Sequence, residues 1–431
     1  MLPIALRLSW VAVKRNGPDS PSNVPRTSGT FRALRHRHYR TLWIGMLASA
    51  LGTWMQIVAQ SLLVLRITGN SAIALGTVSV AQASAFFFFA PLGGTFADRH
   101  DKRRLLFRTQ TLLMLTAFTL AALTATGTIR LWMVIVLAFT SGTLLSFDQP
   151  ARAALLPLLA PPEDLTNAIS LQTLAFNAAS IAGPPLGGVV AAVAGLAGDF
   201  ALNGCSYLAV ILSLLLLPPD AIATPVRSSA PTRTWTAVRE MLAVIQKKPA
   251  VSAAVLVYAV LLFVAPSQAL LVPIFVTSVL HRGAQQLGFL FAASGLGTVV
   301  GSLVVASFGD YPRKGRILVS ANAVWVMALA LFALSRSFAS SFAMLFLMAA
   351  AQSVFMTLVI TLMQGSVDAR MRGRIMSLNT LLMMGERPLG DFPVSVATSF
   401  FGIANAALLS ASVVAVAGAL VFSLRPAIWR S

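Results

Sequence analysis

Pro91-Leu92-Gly93-Gly94-Thr95-Phe96-Ala97-Asp98-Arg99-His100-Asp101-Lys102-Arg103-Arg104 is the stretch that decides how this chain is read. It closes an apolar run that begins near residue 72, and its character changes within a few positions: a glycine pair, an acid beside a base, then three bases in a row. A hydrophobic helix of about 20 residues matches the thickness of a bilayer. A cluster of bases at its end marks the side on which it meets the cytoplasm. Another apolar run starts at once, near residue 105, so the stretch reads as a tight cytoplasmic turn between two membrane spans.

Outward from this turn, apolar runs of spanning length fall near 41–65, 72–96, 105–127, 131–155, 166–194 and 197–217, and again near 251–279, 285–309, 316–335, 338–364, 374–399 and 402–424. Composition agrees. Hydrophobic residues make up 57% of the 431 and charged residues 10%, against about 25% charge in ordinary soluble domains. The expected fold is an all-α membrane protein of twelve transmembrane helices in two six-helix bundles. Residues 1–30, with a Gly/Pro/Ser/Asn-rich tract, read as a mobile cytoplasmic extension. Residues 31–217 carry the first bundle, and 251–431 carry the second and a short cytoplasmic tail. Between them, 218–250 reads as a cytoplasmic linker. It holds Pro218-Pro219 and then a helical pattern with Val238, Leu242 and Ile245 on one face and bases opposite, suited to the membrane surface.

The bases set the orientation. With the N-terminus inside, only Arg66, Arg130, Arg282 and Arg336 fall in outer loops and Arg387 falls within a span, which leaves 27 of the 32 Lys and Arg on the inner side. That asymmetry is what the positive-inside rule expects of an even number of spans with both termini cytoplasmic. It also accounts for the net charge of +19 without nucleic acid, because the bases are spread over every inner loop, against anionic headgroups. A single cysteine, Cys205, excludes a disulfide framework or a cysteine-built zinc site. His36, His38, His100 and His281 lie outside the spans, so no metal or cofactor is expected. There is no phosphate-binding Gly-Lys-Ser/Thr run and no paired nucleophile and base, so the chain reads as a non-enzyme that draws on an ion gradient rather than ATP.

The halves echo each other. Asp98-Arg99 with Lys102-Arg103-Arg104 is matched by Asp310 with Arg313-Lys314 and Arg316; Ile169-Ser170-Leu171-Gln172-Thr173-Leu174 by Met376-Ser377-Leu378-Asn379-Thr380-Leu381; and Pro185-Leu186-Gly187 by Pro388-Leu389-Gly390. Repeated halves with a binding site between them are a transporter design. The 91–104 stretch resembles the signature loop between helices 2 and 3 of the major facilitator superfamily. Phe31-Arg32-Ala33-Leu34-Arg35, Tyr39-Arg40, Gly52-Thr53-Trp54-Met55-Gln56, Asp148-Gln149-Pro150-Ala151-Arg152, Leu155-Leu156-Pro157, Asn167-Ala168-Ile169, Phe176-Asn177 and Gly183-Pro184 together resemble its enterobactin-exporter-like branch. The resemblance covers residues 31 to about 424. It implies proton-driven export of siderophores, drugs or other amphipathic small molecules, and leaves the substrate open. Gly183, Pro184, Gly187 and Gly188 resemble the helix-5 element of superfamily antiporters, although Ala179 stands where a glycine is often found. Gly183 and Gly187 share a helix face that admits a close neighbour, and Gly297 and Gly301, also four apart, are the expected partner surface. The resemblance also implies a cytoplasmic gate in which Asp98, Arg99, Asp148 and Arg152 clasp helices 2, 4 and 11.

Ionisable groups at membrane depth are costly unless paired or wetted, which makes them functional candidates. Asp148, Glu386, Arg387 and Asp391 are such groups. Glu386 lies 12 residues past Arg374, or about 18 Å along a helix, near the midplane of a ~30 Å hydrocarbon core. Arg387 and Asp391 are four apart and are expected to pair. Glu386 or Asp391 is the expected proton-exchanging acid, with Arg387 tuning it. Thr380, Arg387, Asp391, Ser395 and Thr398 form a stripe expected to meet the cavity. Ser49, Thr53, Gln56 and Gln60 place polar groups on one face of helix 1, and Gln82, Asn177 and Gln268 are further cavity-lining candidates. The resulting expectation is a monomeric exporter in the cell membrane, taking a small molecule and exchanging protons. Alternatives are an importer or symporter, a lipid flippase of the same fold, or a receptor or scaffold that moves nothing.

Overall fold

The computed structural model describes residues 31–155, 158–218, 249–308, 314–365 and 390–424, with the side chain of Asp98 outside the description. The extension at 1–30, the linker helix around 233–248, and Glu386 and Arg387 therefore lie outside the described residues. After a short turn at Arg32–Arg35 the first six helices are α1 (Arg37–Ile67), α2 (Ala72–Arg99), α3 (Lys102–Ala125), α4 (Leu131–Leu155), α5 (Leu165–Val193) and α6 (Gly195–Leu215). The second six are α7a (Pro249–Val264) with α7b (Gln268–Ser278), α8 (Ala284–Phe308), α9 (Lys314–Leu334), α10 (Phe338–Gly365), α11 (Phe392–Phe401) and α12 (Ile403–Leu424).

Ten of these helices are long and apolar enough to cross a membrane, and α7a with α7b, bent by 41°, makes an eleventh span. The short α11 is the described end of the run expected over 374–399. Residues that would be hidden in a soluble protein face outward here: Phe88, Val193, Phe400 and Leu424 are all exposed. Polar and charged side chains such as Gln110, Asp148, Asp199, Asn203 and Asp391 are buried. Lipid accepts the first set, and only the protein interior can satisfy the second.

The helix ends follow local chemistry. The Ser71 side chain accepts from the amide of Ala74 at the start of α2, and Asp101 accepts from the amide of Arg104 at 2.8 Å at the start of α3. Asp101 thus caps a helix within the basic turn. Gly195 and Gly402, at φ +74° and +78°, reverse the chain between α5 and α6 and between α11 and α12, and they are 207 residues apart. Gly69 and His281, also at positive φ, turn the chain before α2 and before α8 and are 212 residues apart. These are the spacings of the sequence echoes, so the backbone itself repeats.

Close helix contacts repeat as well. Gly93 of α2 lies against the Ser146 carbonyl of α4, and Gly142 of α4 against the Gln82 carbonyl of α2. In the second half Gly297 and Gly301 of α8 lie against the Phe346 and Ala350 carbonyls of α10. This corrects the expected pairing of Gly297 and Gly301 with α5. Their spacing marks a close-packing face, but the helix register turns that face toward α10. A strap holds the start of α1 to the start of α5: Asp164 meets His36 at 2.8 Å and Arg32 at 3.2 Å, Tyr39 donates to the Ala168 carbonyl, and Trp43 donates to the Leu171 carbonyl.

The end of the molecule that carries Arg37, Arg40, Arg99 and Lys102–Arg104 is called the basic rim below, and the opposite end the far rim.

Candidate functional site

A polar cavity opens among α1, α2, α3, α4 and α6, with Ala269 of α7b at its edge. Thr53, Gln56 and Gln60 of α1 and Gln82 of α2 line it, joined by Ser79, Thr116, Ser141, Asn203 and Tyr207. The wall is a bonded network. Asn203 donates to the Gln56 side-chain oxygen Oε1 at 2.5 Å, and the Gln56 side-chain amide donates to Gln60 Oε1 at 3.4 Å. Ser206 donates to the Asn203 side-chain oxygen at 3.0 Å, and Thr53 donates back to the Ser49 carbonyl. Gly52 makes the network possible, because a Cβ there would meet the Ser206 and Asn203 side chains. Asn203 and Tyr207, one turn apart on α6, were not singled out from sequence, although their spacing matches the polar face of α1.

Asn177 and Gln268 stand outside this lining. Asn177 is half-buried on α5, and Gln268 at the start of α7b accepts from the Ser294 hydroxyl of α8. The described part of the α11 stripe also differs from expectation. Asp391, Ser395 and Thr398 are buried, with Ser395 packed where Gly76 of α2 leaves room, and none of the three lines the cavity.

Asp391 has a clear local task. Pro266 lacks an amide donor, and the helix breaks between α7a and α7b. Backbone at membrane depth must still be satisfied. The Asp391 carboxylate does so, accepting from the Ser267 amide and the Ser267 hydroxyl, each at 2.8 Å.

Asp148 is tied within the first bundle. Arg152 donates to it from two nitrogens at 2.9 and 3.3 Å, Gln110 at 2.7 Å and Thr109 at 2.9 Å. A buried carboxylate with four donors is stable where it stands, and it clamps α3 to α4. Arg99 is exposed in the last turn of α2. With the Asp98 side chain and the basic-rim part of helix 11 outside the described residues, the expected four-residue gate is described only as the Asp148–Arg152 pair.

The helix-5 glycines face two ways. A Cβ on Gly183 would meet Trp54 and Leu51 of α1, and one on Gly187 would meet Met55 of α1. A Cβ on Gly188 would meet Ala284 and Gln285 of α8. From the other side, Gly288 of α8 rests on Pro184 and Pro185, and Gly295 on Ile181. Within the described residues, the tightest contacts between the two halves therefore run along α5 and α8 toward the far rim, and between Gly76 of α2 and Ser395 of α11. Small residues on both sides bring the backbones together and close the far rim. Among the described residues no group of three or more His, Cys, Asp or Glu can hold a metal.

Two repeated helical bundles with an apolar exterior, a polar interior cavity and a glycine-packed seam define a multi-pass membrane transporter of the major facilitator fold. The match to the family of transmembrane secretion effectors extends over residues 28–430, and the chain belongs to that family of the major facilitator superfamily; it is a transporter and not an enzyme. It is 22% identical over 87% of its length to macrolide efflux protein A of Streptococcus pyogenes, covering 93% of that protein. It is 24% identical over 80% of its length to the enterobactin exporter of Salmonella choleraesuis, covering 82% of that protein. Among solved structures, a bacterial homologue of the iron transporter ferroportin in the inward-facing state matches with a TM-score of 0.71 at 15% identity, over 90% of this chain and 98% of that one.

Proposed function

We propose that this chain exports a small amphipathic molecule, of the drug or siderophore kind, by alternating access in exchange for protons. The observation that carries the reading is the polar cavity beside a far rim closed by the α5–α8 glycine seam. A site walled by the first bundle, edged by Ala269 of the second and shut on one side needs only a rocking of the two halves to be presented on the other side. The efflux roles named for two relatives support the outward direction. The distribution of Lys and Arg supports a cytoplasmic basic rim, with both termini and the 218–250 linker on that side and the far rim facing outward. The cavity network of Gln56, Gln60, Asn203 and Tyr207 offers donors and acceptors to a substrate whose apolar part rests on Ile57, Leu75 and Val78.

Asp98, Arg99, Asp148 and Arg152 form the gate on the cytoplasmic side, with Asp148–Arg152 as its fixed base. On helix 11, Glu386 is the proton-exchanging candidate, with Arg387 tuning it. Asp391, bound to Ser267, has the more structural role of the two acids. The monomer is the working unit.

The test is efflux from cells expressing the chain and loaded with ethidium, a macrolide or a catecholate siderophore, with and without a protonophore. Faster loss of at least one probe, abolished by the protonophore, is the expected result. Faster uptake would point to an importer, and no change with any probe would remove the exporter reading.

A further inference from the structure

Four acids are buried among the described residues: Asp148, Asp164, Asp199 and Asp391. Three are held by partners: Asp148 by Arg152, Gln110 and Thr109, Asp164 by His36 and Arg32, and Asp391 by Ser267. Asp199 differs. It is fully buried, and neither of its carboxylate oxygens has a hydrogen-bond partner among the described residues.

Its position is specific. Asp199 lies five residues into α6, at the far-rim end of that helix. A Cβ on Gly187 would stand 3.1 Å from its Oδ2 and 2.8 Å from the Met55 Cα, so the helix-5 glycine and the α1 backbone make the space it fills. One turn further along α6 comes Asn203, bonded to Gln56, and one turn beyond that comes Tyr207, both in the cavity wall. Gly188, next to Gly187, lies against Ala284 and Gln285 in the seam. Asp199 thus lies at the junction of α1, α5 and α6, beside the far-rim part of the cavity wall and next to the α5 residue that enters the seam.

No charged group faces it from the elements packed around it. Helix α5 has no ionisable side chain from 165 to 193, and α7b and α8 have none. The bases of α3 are Lys102, Arg103, Arg104 and Arg108, in its first two turns at the basic rim. Those of α1 are Arg37, His38 and Arg40 at the basic rim and the exposed Arg66 in the last turn, three turns beyond Met55. The titratable group toward the cavity is the Tyr207 hydroxyl, which meets Thr53 and Asn203.

We propose that Asp199 is a proton-binding site of this transporter, which holds a proton while the far rim is closed and exchanges it with water when the α5–α8 seam parts. An unpaired carboxylate in a dry interior is far more costly than the neutral acid, so the closed form fits the protonated side chain. When the seam opens, the Asp199 O–H bond breaks, the proton passes to a water molecule to give hydronium, and the electron pair remains on the carboxylate. Water and the nearby N-terminus of α6, with its partial positive charge, then support the anion. Reprotonation reverses the step. This rests on the exporter reading and adds to the helix-11 acids a second acid in the first bundle.

The experiment is an infrared titration of the purified protein in lipid from acid to alkaline pH, in light and heavy water, with and without carbonyl-labelled aspartate. The expected result is an aspartic-acid C=O band at neutral pH that moves with the label, fades as the pH rises, and is lost in Asp199→Asn, which keeps the shape of the neutral acid. Absence of any protonated aspartate band in the wild type, a band that persists to alkaline pH, or a band untouched in Asp199→Asn would each overturn the proposal. If Asp199→Asn does not fold, the titrating band should survive in Asp148→Asn, Asp164→Asn and Asp391→Asn, and its loss in any of these would overturn the proposal. The measurement needs no substrate, so it separates from the dye test. A titrating Asp199 in a protein that exports none of the probes leaves the proton site standing without the exporter reading.

Discussion

Replacement of Gly288 by alanine tests the seam that closes the far rim. The added Cβ would meet the Pro184 carbonyl oxygen and would stand 2.9 Å from both the Pro184 carbonyl carbon and the Pro185 Cα. These are backbone atoms of a helix that runs unbroken through both prolines, so no flexible side chain can swing away. Overpacking of this kind costs about 1–3 kcal/mol. The cost falls only on the conformation in which α5 and α8 touch, so it appears as a shift of the closed-to-open ratio. That corresponds to about 5- to 150-fold toward far-rim opening. The assay is a distance distribution between spin labels at Val193→Cys and Arg282→Cys, exposed sites at the far ends of α5 and α8, in a Cys205→Ser background. Gly288→Ala should populate a longer distance that is minor in the parent. Gly94→Ala is the control, because a Cβ there meets nothing within 4 Å, and it should leave the distribution unchanged. An unaltered distribution in Gly288→Ala, or the same widening in Gly94→Ala, would show that the seam does not hold the far rim shut.

Three further outcomes are expected. Asp391→Ala leaves the Ser267 amide and hydroxyl without their acceptor at the α7 break, at about 1–3 kcal/mol for each unsatisfied group; Ser267→Ala loses one bond and should lower the thermal midpoint in detergent by less, and equal losses would contradict the clasp. Gln56→Leu removes the acceptor of Asn203 and the donor to Gln60, so it should reduce dye efflux several-fold at unchanged membrane expression; wild-type efflux of every probe would place the substrate elsewhere. Glu386→Gln should flatten the pH dependence of gradient-driven export in liposomes more than Asp391→Asn does, and the reverse order would exchange the roles given to the two acids.

Particular residues show what could be read from the one-dimensional chain. The polar face of α1 was legible because Ser49, Thr53, Gln56 and Gln60 recur at helical spacing in an apolar run, and a helix in lipid must turn such a face inward. Their partner on α6 was not read, though Asp199, Asn203 and Ser206 carry the same rhythm. An apolar run that starts near residue 197 leaves Asp199 at a span end, where an acid is unremarkable. The structure starts α6 at Gly195 and packs Asp199 against Gly187 and Met55. Glycine spacing announced close packing at Gly297 and Gly301 but named the wrong neighbour, since a four-residue repeat says that a face is flat and nothing about which helix it meets.

Hydrophobic run length, loop chemistry and the internal echoes determine from sequence alone that the chain is a multi-pass, two-fold repeated membrane protein, because each is a local property of the polymer in a bilayer. The choice among buried acids belongs to the tertiary structure. Along the chain Asp148 and Asp391 look alike as acids within apolar runs, and Asp199 looks like an acid at a span end. They become a clamp, a clasp and an unpartnered carboxyl only when neighbouring helices bring donors within about 3 Å or leave none there, and that is decided by rotation and register between helices, which the order of residues in one helix does not encode.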